Sequence, residues 1–377
     1  MAFRLCETCA SRFGKSGGIS RLENEKECHI CRGSLANSER LAKEALASSA
    51  EFEWSTFSVA SSFQQSVFVR EEEVADSLAP GMFTSMKNSL NSYFSEKIAA
   101  ATGKKNAQRF AEASFEFDFI SGKASARPAP AYVFGRYLKL SRKHCQSRWH
   151  CSGCGGRGCD ACGGSGQNYP SVEDEIGKVL LGAFGGRSCT LHASGREDVD
   201  VRSLGTGRPF VMEVKSPKKR GVDLAALERE MDDNPNVRVA GLKGVKPHFV
   251  DAVCNSHFDK EYSALVSAER KLGTADAKLV DGLSGAFLFQ QTPKRVLARR
   301  ADLERRRKIY RVSAREEGDG KLRLCIFAEA GTYIKEFIHS DQGRTKPSVS
   351  ELLGCNTVCE ELDVVGIRDF FLETIVD

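Results

Sequence analysis

Apolar and polar positions recur with two periods along this chain. Phe52-Glu53-Trp54-Ser55-Thr56-Phe57-Ser58-Val59 and Phe115-Glu116-Phe117-Asp118-Phe119 alternate every second residue, as half-buried strands do. Residues 34–46 carry helical spacing. So do residues 71–101, with Pro80-Gly81 breaking them into two helices. Residues 131–138 read as a further strand, and together these elements predict an α+β module of about a hundred residues. After Gly166 the character changes. Residues 172–184 form an amphipathic helix, and strands are expected over 190–193, 209–214, 237–242, 263–267, 286–290, 308–313, 321–327 and 357–367. Helices fall at 224–231, 274–283, 332–339 and 349–353. Many strands with helices on one side predict a mixed, largely antiparallel sheet, so the fold class is α+β throughout.

Composition narrows this picture. A length of 377 residues exceeds one ordinary core and predicts two domains, 1–166 and 167–377. Hydrophobic and charged contents of 41% and 28% are those of a soluble globular chain. No apolar run approaches the length of a membrane span. Met1-Ala2-Phe3-Arg4-Leu5-Cys6 lacks an apolar signal core, so a cytoplasmic location is expected. The net charge of +5 is mild, but its distribution is uneven. Residues 294–308 hold eight basic side chains against two acidic ones, and residues 215–220 add a second basic cluster.

Eight of the fourteen cysteines form four Cys-x-x-Cys pairs. In a reducing compartment that spacing points to zinc, because one tight turn aims both sulfurs at one ion and two turns complete a tetrahedron. Cys6, Cys9, Cys28 and Cys31 suit a zinc ribbon or knuckle. Cys151, Cys154, Cys159 and Cys162 stand in a glycine-rich run whose inner interval is only four residues, so Cys145 or His150 is an alternative ligand. The run is similar to the cysteine-rich module of DnaJ-type chaperones. Those carry several such repeats, and here there is one, without the His-Pro-Asp triplet of a J domain. It reads as a structural clip or linker between domains.

Candidate chemistry lies in Gly195-Arg196-Glu197-Asp198-Val199-Asp200-Val201-Arg202, between two strand-like runs. A loop held on such a scaffold is where a catalytic carboxylate belongs; a surface hairpin with solvated charges is the plain alternative. Asp198 and Asp200 would share a face of an extended strand, with Glu197 opposite. They are too close for an inverting glycosidase pair, and Gly205-Thr-Gly207 is too short to signify phosphate binding.

Three segments carry a family resemblance: Gly195–Arg202 continuing through Gly205-Thr-Gly-Arg-Pro-Phe210; Lys260-Glu-Tyr262-Ser-Ala-Leu-Val266 with Gln291-Thr-Pro-Lys-Arg-Val296 and Arg299-Arg300; and Gly331-Thr-Tyr-Ile-Lys335-Glu-Phe-Ile-His339 through Gly343-Arg344-Thr345 to Leu362-Asp363-Val364. With Gly135-Arg136-Tyr137, their order and spacing resemble the T-loop tRNA pseudouridine synthases of archaea and eukaryotes. The N-terminal cysteine pairs agree, and the second cluster is similar to a feature of archaeal members.

The resemblance implies a C-terminal pseudouridine synthase domain, isomerisation of tRNA uridines 54 and 55, structural zinc and no organic cofactor. It implies Asp198 as the catalytic carboxylate, Lys335 as its buried basic partner, Tyr262 stacking on the uracil and Leu362 packing against the base. Ser263 departs from the family, where a basic residue often follows the tyrosine. The N-terminal domain resembles THUMP-type accessory modules that read an acceptor stem by shape. Candidate RNA contacts are Arg196, Arg202, Lys218, Lys219, Arg220, Lys294, Arg295, Arg299, Arg300, Arg305, Arg306, Arg307 and Arg344, of which about half are expected to face the substrate. A monomer without membrane contact is implied. The competing reading is a non-catalytic, zinc-stabilised RNA-binding protein, which would not need Asp198, Tyr262 and Lys335 together.

Overall fold

The computed structural model describes residues 2–14, 17–78, 83–298 and 300–371. Contacts divide the chain into two compact units. The smaller holds Met1–Ala131 with Ala183–Ser188 and Val214–Val222, and the larger holds the remainder. The division falls near Ala131 rather than at the 166/167 boundary read from the sequence, because the strand that follows is built into the large sheet.

In the smaller unit, β1 (Phe3–Cys6) runs parallel to β2 (Ile19–Leu22), with helix α1 (Glu7–Ser11) after β1 and α2 (Ser38–Ser48) downstream. A second sheet has the order β4-β3-β5-β6, built from β3 (Thr56–Ser62), β4 (Lys105–Asn106), β5 (Ala113–Asp118) and β6 (Lys123–Pro128). Helices α3 (Gln65–Leu78) and α4 (Met86–Thr102) connect β3 to β4. The break expected at Pro80-Gly81 lies outside the described residues. The alternation of β5 buries Phe115 and Phe117. The ring of Phe94 on α4 stacks on Phe117, and Trp54 and Phe57 meet Phe115 edge-on, which glues the helices to the sheet.

The larger unit contains β7 (Ala131–Lys139), α5 (Val172–Phe184), β8 (Ser188–Ala193), β9 (Arg202–Lys215), α6 (Leu224–Asp232), β10 (Val237–Val245), α7 (His248–Cys254), β11 (Lys260–Ala268), α8 (Thr274–Asp281), β12 (Phe287–Gln291), β13 (Glu304–Glu317), β14 (Lys321–Ala328), α9 (Ile334–His339), β15 (Thr345–Lys346), α10 (Val349–Leu353) and β16 (Thr357–Ile367). Among the described residues ten strands form one sheet, ordered β10-β7-β9-β16-β11-β14-β13-β12-β15, with β8 on β9. It is mixed: β9 and β16 run parallel at Arg202/Asp363 and Ser203/Val364, whereas β11 is antiparallel to both β14 and β16. The parallel contact depends on Gly205, whose left-handed backbone and missing Cβ admit the Val365 carbonyl. Gly205 thus has a packing role. Alternation along β11 sends Tyr262, Ala264 and Val266 into the core.

Residues 145–171 leave this unit and return to it. Cys145 bridges Ser171, and His150 bridges Gln167, so the second cysteine cluster is an excursion of the larger unit and not a linker between domains. Among the described residues no helix is long and apolar enough to cross a membrane.

Candidate active site

Asp198 lies between β8 and β9. The loop is not an extended strand: Val201 N–H donates to the Asp198 carbonyl at 3.1 Å and closes a turn. Beneath it sits a buried polar frame. Glu197 accepts from the Tyr137 hydroxyl at 2.8 Å and pairs with Arg208 Nε at 2.7 Å, and both charged side chains are almost wholly buried. Gln146 Nε2 donates to Tyr137 Oη and to the Gly195 carbonyl, and Arg208 donates to the Ser194 carbonyl. Burial would discharge Arg208, but the Glu197 carboxylate holds its pKa above the ordinary value.

Lys139, at the end of β7, completes the frame. Its Nζ donates to the carbonyls of His144, Asp198 and Val199 at 2.8, 2.9 and 2.8 Å, using all three ammonium protons. Burial lowers its pKa to about 8. Arg142 donates through NH1 to the carbonyls of Asp200 and Leu362, both at 2.9 Å, and so ties the loop to β16.

Two cations meet the Asp198 carboxylate. Arg295 NH1 lies 2.9 Å from each oxygen, and Lys335 Nζ lies 3.4 Å from Oδ2. Lys335 is nearer to Asp200, at 2.7 and 2.8 Å, so it bridges the two carboxylates. Burial disfavours the charge of Asp200, yet the Lys335 bond keeps its pKa below the usual carboxylate range. Arg295 is held in turn by buried Glu336, whose Oε1 accepts from its Nε at 2.7 Å. Despite burial, Glu336 and then Asp198 raise the Arg295 pKa. The Asp198 side chain remains 39% exposed, so a carboxylate fixed by two cations is still open to a ligand.

Tyr262 pairs across the sheet with Val364, and Leu362 pairs with Ala264. Tyr262 and Leu362 are therefore diagonal neighbours on one face, about 7–8 Å apart. Burial pushes the Tyr262 pKa up to about 12, with Arg208 opposing the rise. Asp198, Lys335 and Arg295 thus meet directly; the Leu362 backbone is tied to the loop through Arg142, whereas the Tyr262 and Leu362 side chains lie buried in the core of the sheet.

The other basic candidates divide. Arg196, Lys218, Lys219 and Arg300 are exposed, the last donating to the Tyr333 hydroxyl at 3.0 Å. Arg202 is paired with Asp363 through two bonds of 2.9 and 2.6 Å. Arg344 donates to the Thr292 carbonyl and pairs with Asp302. Arg220, in the smaller unit, donates to the carbonyls of Glu112 and Ala129. Arg299 lies outside the described residues. Sequence reasoning missed Lys139, Arg142 and Glu336. Two of them left a trace: Lys139 follows Val133 and Tyr137 in the inward register of β7, and Glu336 sits among the buried Ile334, Phe337 and Ile338 of α9.

Both cysteine clusters fit a metal. The four sulfurs of Cys6, Cys9, Cys28 and Cys31 lie within 4.8 Å of one another, as do those of Cys151, Cys154, Cys159 and Cys162. A tetrahedron with metal–sulfur bonds of about 2.3 Å needs sulfurs about 3.8 Å apart. Cys6 and Cys31 stand at 3.7 Å, Cys159 and Cys162 at 3.8 Å, and Cys151 and Cys159 at 3.9 Å.

Residues 132–368 match the family model described as "Pus10, C-terminal", which places the larger unit among the pseudouridine synthases. The chain is 39% identical to the tRNA pseudouridine synthase Pus10 of Korarchaeum cryptofilum over 90% of its own length and 92% of that protein. It is 37% identical to the protein of the same name from Methanocaldococcus jannaschii, over 93% and 78% of the two chains. A solved Cbf5–Nop10–Gar1 complex matches 55% of this chain and 48% of that chain at 17% identity with a TM-score of 0.34, too loose a likeness to argue from. The chain belongs to the Pus10 family of pseudouridine synthases, enzymes of the isomerase class.

Proposed function

We propose that this protein converts T-loop uridines of tRNA into pseudouridine, with Asp198 as the catalytic carboxylate. The N1–C1′ bond breaks, the detached uracil turns and C5 joins C1′; C5 then loses a proton and N1 gains one, so the atoms balance without a co-substrate. The carrying observation is an open carboxylate straddled by Arg295 and bridged to Asp200 by Lys335. Two cations touch the Asp198 carboxylate, and the frame beneath the loop holds it in position for a base to dock against it. Tyr262 and Leu362, diagonal neighbours on one face of the sheet, are the pair assigned to the two sides of the base.

Arg196 and Arg300, with Lys218 and Lys219 of the smaller unit, are the exposed cations assigned to phosphates. That unit is read as a THUMP-like module for the acceptor stem, acting within a monomer. Each cysteine set would hold one structural zinc, whose contribution is folding energy and not chemistry.

Transcribed tRNA labelled with tritium at uridine C5 tests the reading. Wild-type protein should release tritium to water as C5 loses its hydrogen. Asp198→Asn should lower release by about 10³-fold or more while binding the tRNA equally well. Release by both proteins at similar rates would remove Asp198 from the chemistry, and binding without release by either would remove the activity.

A further inference from the structure

Strand β12 inverts the usual rule for a half-buried strand. Its sequence, Phe287-Leu-Phe-Gln-Gln291, would hide both phenylalanines if apolarity alone decided. Instead Phe287 and Phe289 are 42% and 49% exposed, while Leu288 and Gln290 are fully buried. Gln290 has a reason to be inside, because its amide accepts from Tyr333 N–H and donates to the Tyr333 carbonyl, both at 3.0 Å, pinning the start of α9. That register forces the two rings outward, and an exposed apolar pair beside a buried amide marks a surface with a use.

The flanking strands give that surface its chemistry. In register, Phe287 stands opposite Lys308 and Phe289 opposite Arg306 on β13, while Lys346 of β15 lies beside Phe289 on the other side. Directly paired residues share a face. The Arg306 guanidinium lies 3.6 Å from the centre of the Phe287 ring, and the Lys308 ammonium 5.4 Å from it. Among the described residues no carboxylate forms an ion pair with Arg306, Lys308 or Lys346, and Glu304 is the acid at the end of the row. Two exposed rings between three uncompensated cations match bases that stack and phosphates that lie alongside.

We propose that this outer face of β12, β13 and β15 binds unpaired nucleotides of the RNA substrate, with Phe287 and Phe289 as stacking platforms and Arg306, Lys308 and Lys346 on the phosphates. The proposal rests on the reading of the chain as an RNA-modifying enzyme and adds a second contact to it, away from the carboxylate. The same hairpin carries Arg295 beyond β12. Phe289 and Arg295 are six positions apart, at most about 21 Å of chain. A nucleotide on the platform is therefore a near neighbour of the uridine at Asp198.

Phe287→Thr with Phe289→Thr tests it, since threonine keeps the strand preference of an exposed position. Binding of unmodified tRNA should weaken about tenfold for each ring removed, and the single-turnover rate at saturating tRNA should stay as in the wild type. Arg306→Ser with Lys308→Ser should flatten the salt dependence of binding. Photocrosslinking to 4-thiouridine tRNA should yield a peptide containing residues 287–289. Unchanged affinity and no such peptide would overturn the proposal while leaving the Asp198 chemistry standing. Ring-dependent binding without any pseudouridine would do the reverse. A wild-type dimer in sedimentation that dissociates in the phenylalanine variant would show that a second copy covers this face, which also overturns it.

Discussion

Glu197 and Asp198 are adjacent carboxylates with opposite surroundings. The Glu197 side chain is 1% exposed and pairs with Arg208, whereas Asp198 faces outward between two cations. Breaking a buried pair leaves an uncompensated charge, at a cost of about 3–5 kcal/mol. Arg208→Met should therefore lower the melting temperature by many degrees, and Asp198→Asn should leave it nearly unchanged while abolishing turnover; thermal scans beside the tritium assay separate the two. Arg295 was read from the sequence as a phosphate contact, but here it touches Asp198 through NH1 and Glu336 through Nε. Arg295→Met should cut the single-turnover rate by about 10–100-fold at saturating tRNA, a larger effect on rate than on affinity. Lys139 makes the loop sensitive to pH. Its pKa falls from 10.5 to about 8, so its ammonium is complete below pH 8 and loses a proton above it. One of three carbonyls then faces a lone pair instead of a donor. The rate should decline as pH rises through about 8, and Lys139→Met should be slow throughout and lack that decline.

At the scale of elements, the proposed catalytic centre is assembled by three neighbours in space that are distant in sequence. The turn before β9 brings Asp198 and Asp200, the hairpin after β12 brings Arg295, and helix α9 brings Lys335 and Glu336, while Arg142 and Arg202 tie the turn and the start of β9 to β16. Periodicity alone makes some elements plain. Helix α5 and strand β16 have the expected bounds, because each is continuously amphipathic or apolar. Strand β9 begins at Arg202 instead of residue 209, since the polar, glycine-rich stretch 202–207 has no alternation and its start is fixed by pairing of Arg202 and Ser203 with β16. Strand β6 went unread because Lys123–Pro128 is small and polar, and α7 because His248–Cys254 is short. The family segments name Asp198 and Lys335 together, and the structure brings the two within 3.4 Å. Arg142 was not legible in the sequence: besides two backbone carbonyls it meets Asp363 at 2.8 Å, a partner more than two hundred residues away that local pattern does not connect to it.

The whole molecule joins a cysteine-rich module to a catalytic sheet, and each unit carries one set of four clustered cysteines. Purified protein should contain about two equivalents of zinc by elemental analysis, one for each tetrahedral set. Cys28→Ser should lose one of them and several kcal/mol of stability in the smaller unit, because metal binding at such a site is folding energy. Loss of neither metal nor stability would mean that the sulfurs serve as core. The central claim concerns one carboxylate and two uridines. It is met most directly by mapping pseudouridine, through carbodiimide adducts and primer extension, on a tRNA transcript treated with wild-type protein or Asp198→Asn. The account predicts stops at T-loop uridines with the wild type and none with the variant. Stops with both proteins, or stops only outside the T loop, would contradict it.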